Sequence, residues 1–421
     1  MSNDFNKIEM KIAKILRQFP FIKRGAKKIY SRIMYCINFS TKTYTVKTNI
    51  EQIGPSNKSN FYGYYDKPPI NNKNLILSHV TEFDTMKKPN RYNNLNIEVY
   101  NQSNLKQSIA QVSTSSFNWQ QGARAMWVSD SSFIFNDYCE NEKKFISKIY
   151  NVESQEIEFI YSMPVQDAFK NEYFLSINYR RLQTLRPDYG YNNMSDMDQI
   201  ELEECNFDGI WRTEFDSSEN NLILSLNDII KINPHEYFKH GLHKVNHVMI
   251  SPDGESFIFL HRIFISSRRF DRLLIANSDG TGLRLLSDNE MVSHCAWIDN
   301  NHIVSFMRGP NNNDGYFKIN VKTAEISSLL NGKLDHFNDG HPHVRGDIMV
   351  IDTYPNKARN QKLIKVNLKS GDVVELAQFK HNFKFKGETR CDLHPRISLD
   401  GRFAYIDSVY TGRRQLYRVE I

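Results

Sequence analysis

From about Thr43 onward the chain runs in short segments rich in Ile, Val, Phe and Tyr, each closed by a turn of Asn, Asp, Gly or Ser. Segments of that length and make-up predict strands. One unit shows the order plainly: Val245 to Arg262 (VNHVMISPDGESFIFLHR), then Arg272 to Ser287 (RLLIANSDGTGLRLLS), reads as two strand–turn–strand hairpins. Four antiparallel strands of this size make one blade of a β-propeller. The layout recurs as SHCAWIDNNHIVSFMR with YFKINVKTAEISSLL, as HPHVRGDIMVIDTY with KLIKVNLKSGDVVELA, and as HPRISLDGRFAYIDS with RQLYRVEI. The turn residues Asp253, Asn300, Gly346 and Asp400 mark a period of roughly 50 residues, close to the blade repeat of about 40 to 50.

Three looser units precede these, beginning near Pro68, Arg124 and Phe174; the third carries an insertion, Gln183 to Phe207, rich in Asn, Asp and Glu. The last unit stops at RQLYRVEI, one strand short, and Thr43 to Gln52 (TYTVKTNIEQ) could supply the strand that closes the ring and leaves no open sheet edge. The expected fold is all-β: a seven-bladed β-propeller over residues 43–421, preceded by a short basic amphipathic, helical segment over 1–42. Phe257, Phe259, Ala404 and Ile406 are then core positions.

In the leading segment Ile8, Ile12, Ile15, Leu16 and Phe19 fall at helical spacing, with Lys7, Lys11, Lys14 and Arg17 on other faces and Lys23, Arg24, Lys27, Lys28 and Arg32 following. Such a helix either lies on the anionic surface of the inner membrane or packs on the main body with its lysines in water. No apolar run is long enough for a signal-peptide core or a membrane span. Composition agrees with a folded chain, at 40% hydrophobic and 24% charged residues. A net charge of +6 over 421 residues is too dilute for a dedicated nucleic-acid binder, so no nucleic-acid partner is expected. Five cysteines scattered singly imply neither a disulfide framework nor a zinc ribbon. A cytoplasmic protein, peripheral at the inner membrane if the leading helix binds lipid, is the expectation.

In a propeller the innermost strand of every blade starts near one mouth of the central channel, so equivalent residues of successive repeats converge. Read in register, the chain offers Tyr64, Tyr65 and Asp66; Gln120, Gln121 and Arg124; Asn178, Arg180 and Arg181; His247; His294; His341 and His343; then Arg390, Asp392 and His394. This set is polar, cationic and rich in imidazole, which points to an anionic ligand. The stretch Asp335 to Asp347 (DHFNDGHPHVRGD) is the densest. If the chain is extended from Pro342, His341 and His343 project from one face. With His294 and the oxygen of Asn338 they would make a four-ligand metal set; imidazole suits Mn, Fe or Zn, and the oxygen donor leans to Mn or Fe. Asp339 and His336 are alternative local ligands. Against this, a lone His before a strand is commonly a hydrogen-bonded core residue, and an isolated Arg a salt-bridged face.

The SPDG-type turns, DGHPH, and RCDLHPRISLDGRFAYIDSVYTGRRQLY resemble the oligogalacturonate lyase branch of the TolB-like propellers, most clearly from about His243 to Ile421. The resemblance implies a seven-bladed propeller holding Mn²⁺ through three histidines and a glutamine placed three residues before an H-x-H pair. Here His341 and His343 match the pair, His294 the third imidazole, and Asn338 stands where the family has glutamine. His247 falls at a further active-site histidine, and Arg180 and Arg181 are the nearest candidates for the family's basic arginine. The implied reaction is β-elimination on a uronic acid, with His247 or Arg180 removing the C5 proton beside a neutralised carboxylate. Tyr65, Asp66, Gln121, Arg124, Arg390 and His394 would bind an acidic oligosaccharide, with Tyr64, Tyr65 and Trp119 able to stack on sugar rings. The Asn338 replacement and the basic leader favour a different reading, a surface-polysaccharide biosynthesis protein at the inner membrane that transfers or binds an acidic glycan without lyase activity. A protein-binding scaffold would instead show an apolar or mixed mouth.

Overall fold

The inner-hairpin turns are built from side chains that fold back on their own backbone. Ser251 Oγ donates to Asp253 Oδ1 at 2.5 Å, the same carboxylate accepts from the Glu255 N–H at 3.1 Å, and Ser251 Oγ accepts from the Ser256 N–H at 3.1 Å. Ser398, Asp400, Arg402 and Phe403 repeat the arrangement at 2.5, 3.1 and 3.0 Å. Each turn thereby sets the register of the hairpin that follows.

The structure is a computed structural model that describes residues 20–38, 42–266 and 268–421. Its strands form seven antiparallel sheets, six of four strands and one of five. Blade 1 comprises Ser59–Phe61, Leu75–Thr81, Leu95–Asn101 and Asn104–Thr114; blade 2 runs from Met126 to Tyr161, and blade 3 from Asp167 to Ser225. Blade 4 comprises Leu242–Ile250, Ser256–Ile265, Arg268–Asn277 and Arg284–Ser287, and blade 5 runs from Val292 to Ser328. Blade 6 begins at His343–Arg345 and ends at Val373–Lys380; blade 7 comprises Arg396–Ile397, Phe403–Ser408 and Gln415–Glu420. The fold is a seven-bladed propeller. First strands of neighbouring blades lie against one another, as Val292–Asp299 does on His343–Arg345 and the latter on Arg396–Ile397.

Closure comes from the N-terminal side. Ile50–Gln52 is the outer strand of blade 7, with Ile50 opposite Val419 and Gln52 opposite Tyr417, while Tyr44–Val46 adds a fifth strand to blade 6, with Tyr44 opposite Phe379. Alternate residues of each strand fill the space between blades. Ile258 and Leu260 of blade 4 pack with Val292 and Ile303 of blade 5, and Phe257, Phe259, Ala404 and Ile406 are fully buried. The helix α1 (Pro20–Ile37) precedes the ring. Tyr35 packs edge-on against Phe383, 5.2 Å between ring centres, which ties α1 to the loop after blade 6. The amphipathic stretch Ile8 to Phe19 lies outside the described residues. Among the described residues no helix is long and apolar enough to cross a membrane.

Several histidines away from the channel mouth are buried as neutral rings. Burial pushes His79 and His243 down to about 4, and His261, which hydrogen-bonds His243 at 3.0 Å, also well down. The unfolded chain then binds more protons than the native one below the ordinary imidazole value, so stability falls as pH drops from about 6.5 toward 4. His79 and His243 should each remove roughly 2 kcal/mol by about pH 5. Thermal melts are expected to show a markedly lower midpoint at about pH 5 than at about pH 7; an unchanged midpoint would mean these rings are solvated.

Candidate functional site at the channel mouth

The segment after the first strand of blade 1 crosses the channel as Tyr62 to Lys67. It can do so because Gly63 adopts φ +110°, where an added Cβ would sit 2.6 Å from the Gln121 backbone carbonyl carbon. Blade 7 clasps the crossing from one side. Asp407 accepts from the Tyr62 and Gly63 N–H groups, both at 2.9 Å, and Arg396 donates to the Tyr64 carbonyl at 2.9 Å. Blades 2 and 3 hold the other side. Arg124 binds Asp66 through two parallel bonds of 3.0 and 2.7 Å and donates to the Gln166 carbonyl at 3.0 Å, while Lys67 pairs with Asp167 at 2.8 Å. Both members of the Arg124–Asp66 pair are buried, so their charges satisfy each other and fix the crossing.

Four imidazoles converge on Tyr64 and Tyr65. Ring centres are 5.8 Å apart for His247 and His294, 4.1 Å for His294 and His341, and 4.3 Å for His341 and His394. They come from blade 4, blade 5 and the loops entering blades 6 and 7. Tyr65 is fixed at their centre by donating to the Cys295 carbonyl at 3.0 Å. Tyr64 OH contacts Nδ1 of His247. Asp339 accepts from His294 Nδ1 at 3.0 Å and from Ser293 Oγ at 2.7 Å.

Two of the rings are oriented so that they could serve as metal ligands. Asp352 accepts from the backbone N–H and from Nδ1–H of His341, both at 2.8 Å, and from the backbone N–H of His394 at 3.0 Å. His394 Nδ1–H donates to the Gly63 carbonyl at 2.7 Å. With the proton held on Nδ1, each ring presents Nε2 as a lone pair, and neither Nε2 has a hydrogen-bond partner although both are buried. The candidate ligand atoms of His341, Asp392 and His394 lie within 4.8 Å of one another. Two bare imidazole nitrogens and a carboxylate suit a divalent cation.

The charges around the cluster set its protonation. Burial, then Arg262, His294 and His341, push His247 well below the ordinary imidazole value, and burial and His341 do the same to His394. His341 goes the other way: burial opposes its charge, but the Asp352 carboxylate outweighs burial and raises it. Asp392 is lowered because Arg390 and His341 outweigh its burial.

Residues expected from the sequence to act together separate into groups. His294 and His341 are in ring contact, whereas His343, the first residue of its strand, has Nδ1 engaged elsewhere, accepting from the Ile397 N–H at 3.2 Å. Asn338, at φ +59°, is exposed, and its amide donates to the His336 carbonyl at 3.4 Å. Arg180 sits on helix α2 (Tyr179–Leu185), where it pairs with Glu201 and donates to the Ser195 and Asp196 carbonyls at 2.8 and 3.1 Å, so its charge is engaged within the insertion. Arg390 pairs with Asp392 at 2.8 Å and Asp188 at 2.6 Å. Gln121 lines a small cavity beside Tyr64 and Arg124. Trp119 is a core residue packed on Phe61, Phe83 and Phe117.

Beside His247 and His294 opens a pocket of about 160 Å³ lined also by Arg186, Tyr189, Lys244, Arg262, Arg269 and Tyr354. The blade 3 insertion supplies its roof, placing the Tyr189 ring 5.8 Å from His247. These residues escaped the register argument because they lie one to three strands out from the axis or inside the insertion. Lys244 and Arg262 did leave a signal, as cationic side chains inside the otherwise uncharged strands LHKVNHVMI and SFIFLHRIFI.

The chain is similar to a solved oligogalacturonate lyase in complex with manganese, over 90% of this chain and 94% of that one, with a TM-score of 0.59 and 14% identity. The chain shares the seven-bladed propeller fold of that lyase. An oligogalacturonate lyase from Vibrio parahaemolyticus gives the same picture, with 90% and 96% coverage, a TM-score of 0.57 and 15% identity. At these identities the likeness to the lyases is one of seven-bladed architecture. No family model matches the sequence, and no curated protein matches it significantly.

Proposed function

We propose that the protein is a carbohydrate-active propeller that binds an acidic oligosaccharide at this mouth and cleaves it by β-elimination next to a uronate carboxylate. The observation that carries this reading is the bare Nε2 pair of His341 and His394 beside Asp392, adjoining a cationic pocket. His341, His394 and Asp392 would hold a divalent cation, and Mn²⁺ is favoured by the mixed nitrogen and oxygen donors and by the manganese complex of the lyase of similar fold. When bound, the cation would neutralise the C6 carboxylate and so acidify the C5 proton. His247, kept neutral by burial and its cationic neighbours, accepts that proton. The C4–O4 bond breaks as the C4=C5 double bond forms, and the leaving oxygen takes a proton from water. Tyr64 orients the His247 ring, and Tyr189 and Tyr354 offer ring faces and hydroxyls to the sugar. Incubation with galacturonate and other uronate oligosaccharides should give the ultraviolet absorbance of the unsaturated product, and His247→Ala should slow its appearance about a hundred-fold or more. Binding of these sugars with no unsaturated product would refute elimination.

A second reading, an acidic-glycan transferase or binder of surface-polysaccharide assembly held at a membrane, is favoured by α1. Its Ile29, Ile33 and Ile37 form one stripe, 64%, 52% and 66% exposed, on the side away from the Tyr35 contact. The full chain should float with anionic liposomes and a chain lacking residues 1–40 should not; equal behaviour of the two would end the membrane reading.

A further inference from the structure

The pocket at the mouth carries more positive charge than its own carboxylates can balance. On blade 4, Lys244 stands opposite Arg262 across the first strand pair, and Arg262 opposite Asp271 across the second. Asp271 is the carboxylate of this row, and it is shared: Arg269 approaches it at 2.9 and 3.0 Å, and Arg262 at 3.6 Å. The nearby Asp188 is occupied in the same way by Arg186 and Arg390, both at 2.6 Å. Lys244 is left over. Its side chain lines the pocket, is 1% exposed, and its Nζ has no hydrogen-bond partner; Arg262 Nε has none either.

A buried ammonium without a partner destabilises the native state, and replacing it by an apolar side chain normally relieves that cost. Burial, then Arg262 and Arg186, hold the Lys244 amine well below its ordinary value, and the opposing pull of Asp188, already engaged by Arg186 and Arg390, does not offset them. Lys244 Nζ and Arg262 Nε keep unmet donors on a pocket whose lining carboxylate, Asp339, is already engaged by His294 and Ser293. A carboxylate supplies one charge in one plane; a tetrahedral oxyanion supplies acceptors in several directions, matching donors that converge from three strands.

We propose that Lys244, Arg262 and Arg269 form a subsite for a tetrahedral oxyanion ester, phosphate or sulfate, carried on the saccharide and separate from the uronate that faces the imidazoles. The proposal rests on reading the mouth as a saccharide site, and it narrows the ligand from any uronate to a glycan bearing a second, esterified anion. Because the subsite belongs to one blade, it binds such an ester whether or not elimination takes place.

Titration calorimetry with glucose 6-phosphate, glucose 6-sulfate and glucuronate tests it. The wild-type chain should bind at least one ester tenfold or more tightly than glucuronate, and the preferred ester identifies the substituent. Lys244→Met should lose that preference by tenfold or more, weaken glucuronate far less than the ester, and melt no lower than the wild type, since it removes an unpartnered amine. Arg269→Gln, at an exposed position, should weaken the same ester; it lowers the melting point by weakening the Asp271 pair but keeps an amide that can donate to that carboxylate, so it carries the test if Lys244→Met does not fold. Equal affinity for the three anions in the wild type, or esters bound as tightly by both variants as by the wild type, overturns the subsite. Ester preference without any unsaturated product from uronates would count against elimination alone, and elimination without ester preference against this subsite alone.

Discussion

Asp352→Ala should cost several kcal/mol of stability and weaken divalent-metal binding by roughly ten- to a hundred-fold. One buried carboxylate here serves three donors, the backbone N–H and Nδ1–H of His341 and the backbone N–H of His394. Removing it leaves two buried amide groups unpaired, each worth about 1–3 kcal/mol, and frees the His341 ring to exchange tautomers. Asp352 touches neither substrate nor cation, so it is a positioning residue. Asp352→Asn separates the two effects: its amide oxygen can still accept from His341, but its NH₂ cannot accept from the His394 N–H, so the fold should persist while metal affinity drops. Calorimetric titration with Mn²⁺ and a denaturant melt on the same preparations read both quantities. Wild-type metal affinity in Asp352→Asn would mean that the imidazoles need no external orientation.

The second large effect concerns closure of the ring. A chain lacking residues 1–53 should lose cooperative folding or aggregate, whereas one lacking 1–42 should melt close to the full-length protein. The longer deletion strips Ile50–Gln52 from the last strand of blade 7 and Tyr44–Val46 from blade 6, and with them the Thr48 bond to the Glu420 carbonyl at 2.7 Å. It also uncovers apolar residues between blades 6 and 7, where Val46 and Ile50 pack. Two adjacent sheet edges would then be open to water and to other chains. Size-exclusion chromatography and melts of the two truncations check this; a soluble, normally melting chain without residues 1–53 would mean that the ring holds without its N-terminal strands.

The fold was legible because blades repeat a local pattern. Ser251 with Asp253 and Ser398 with Asp400 carry the same turn chemistry, so strand, turn and period could be counted from residue types alone. The closing strand was legible as an arithmetical consequence, a repeat one strand short. The ring of imidazoles was also accessible, since His247, His294, His341 and His394 precede or open the inner hairpins of successive repeats. What the pattern could not give was the direction of each ring. His341 and His343 are engaged by different partners, Asp352 and the Ile397 N–H, and the groups that orient the rings, Asp352 and the Gly63 carbonyl, lie in other segments. Arg124 illustrates the same limit. As a sequence feature it is a channel cation available to a ligand; in three dimensions its guanidinium is consumed by Asp66, 58 residues away. Long-range charge pairing of this kind leaves no spacing to read.

Metal analysis of the purified protein after Mn²⁺ loading and desalting, beside a His341→Ala, His394→Ala double variant, tests the central claim most directly. One tightly held divalent ion per wild-type chain and none in the variant is the expected result. A wild type that retains no ion, or a variant that retains as much as the wild type, would contradict it.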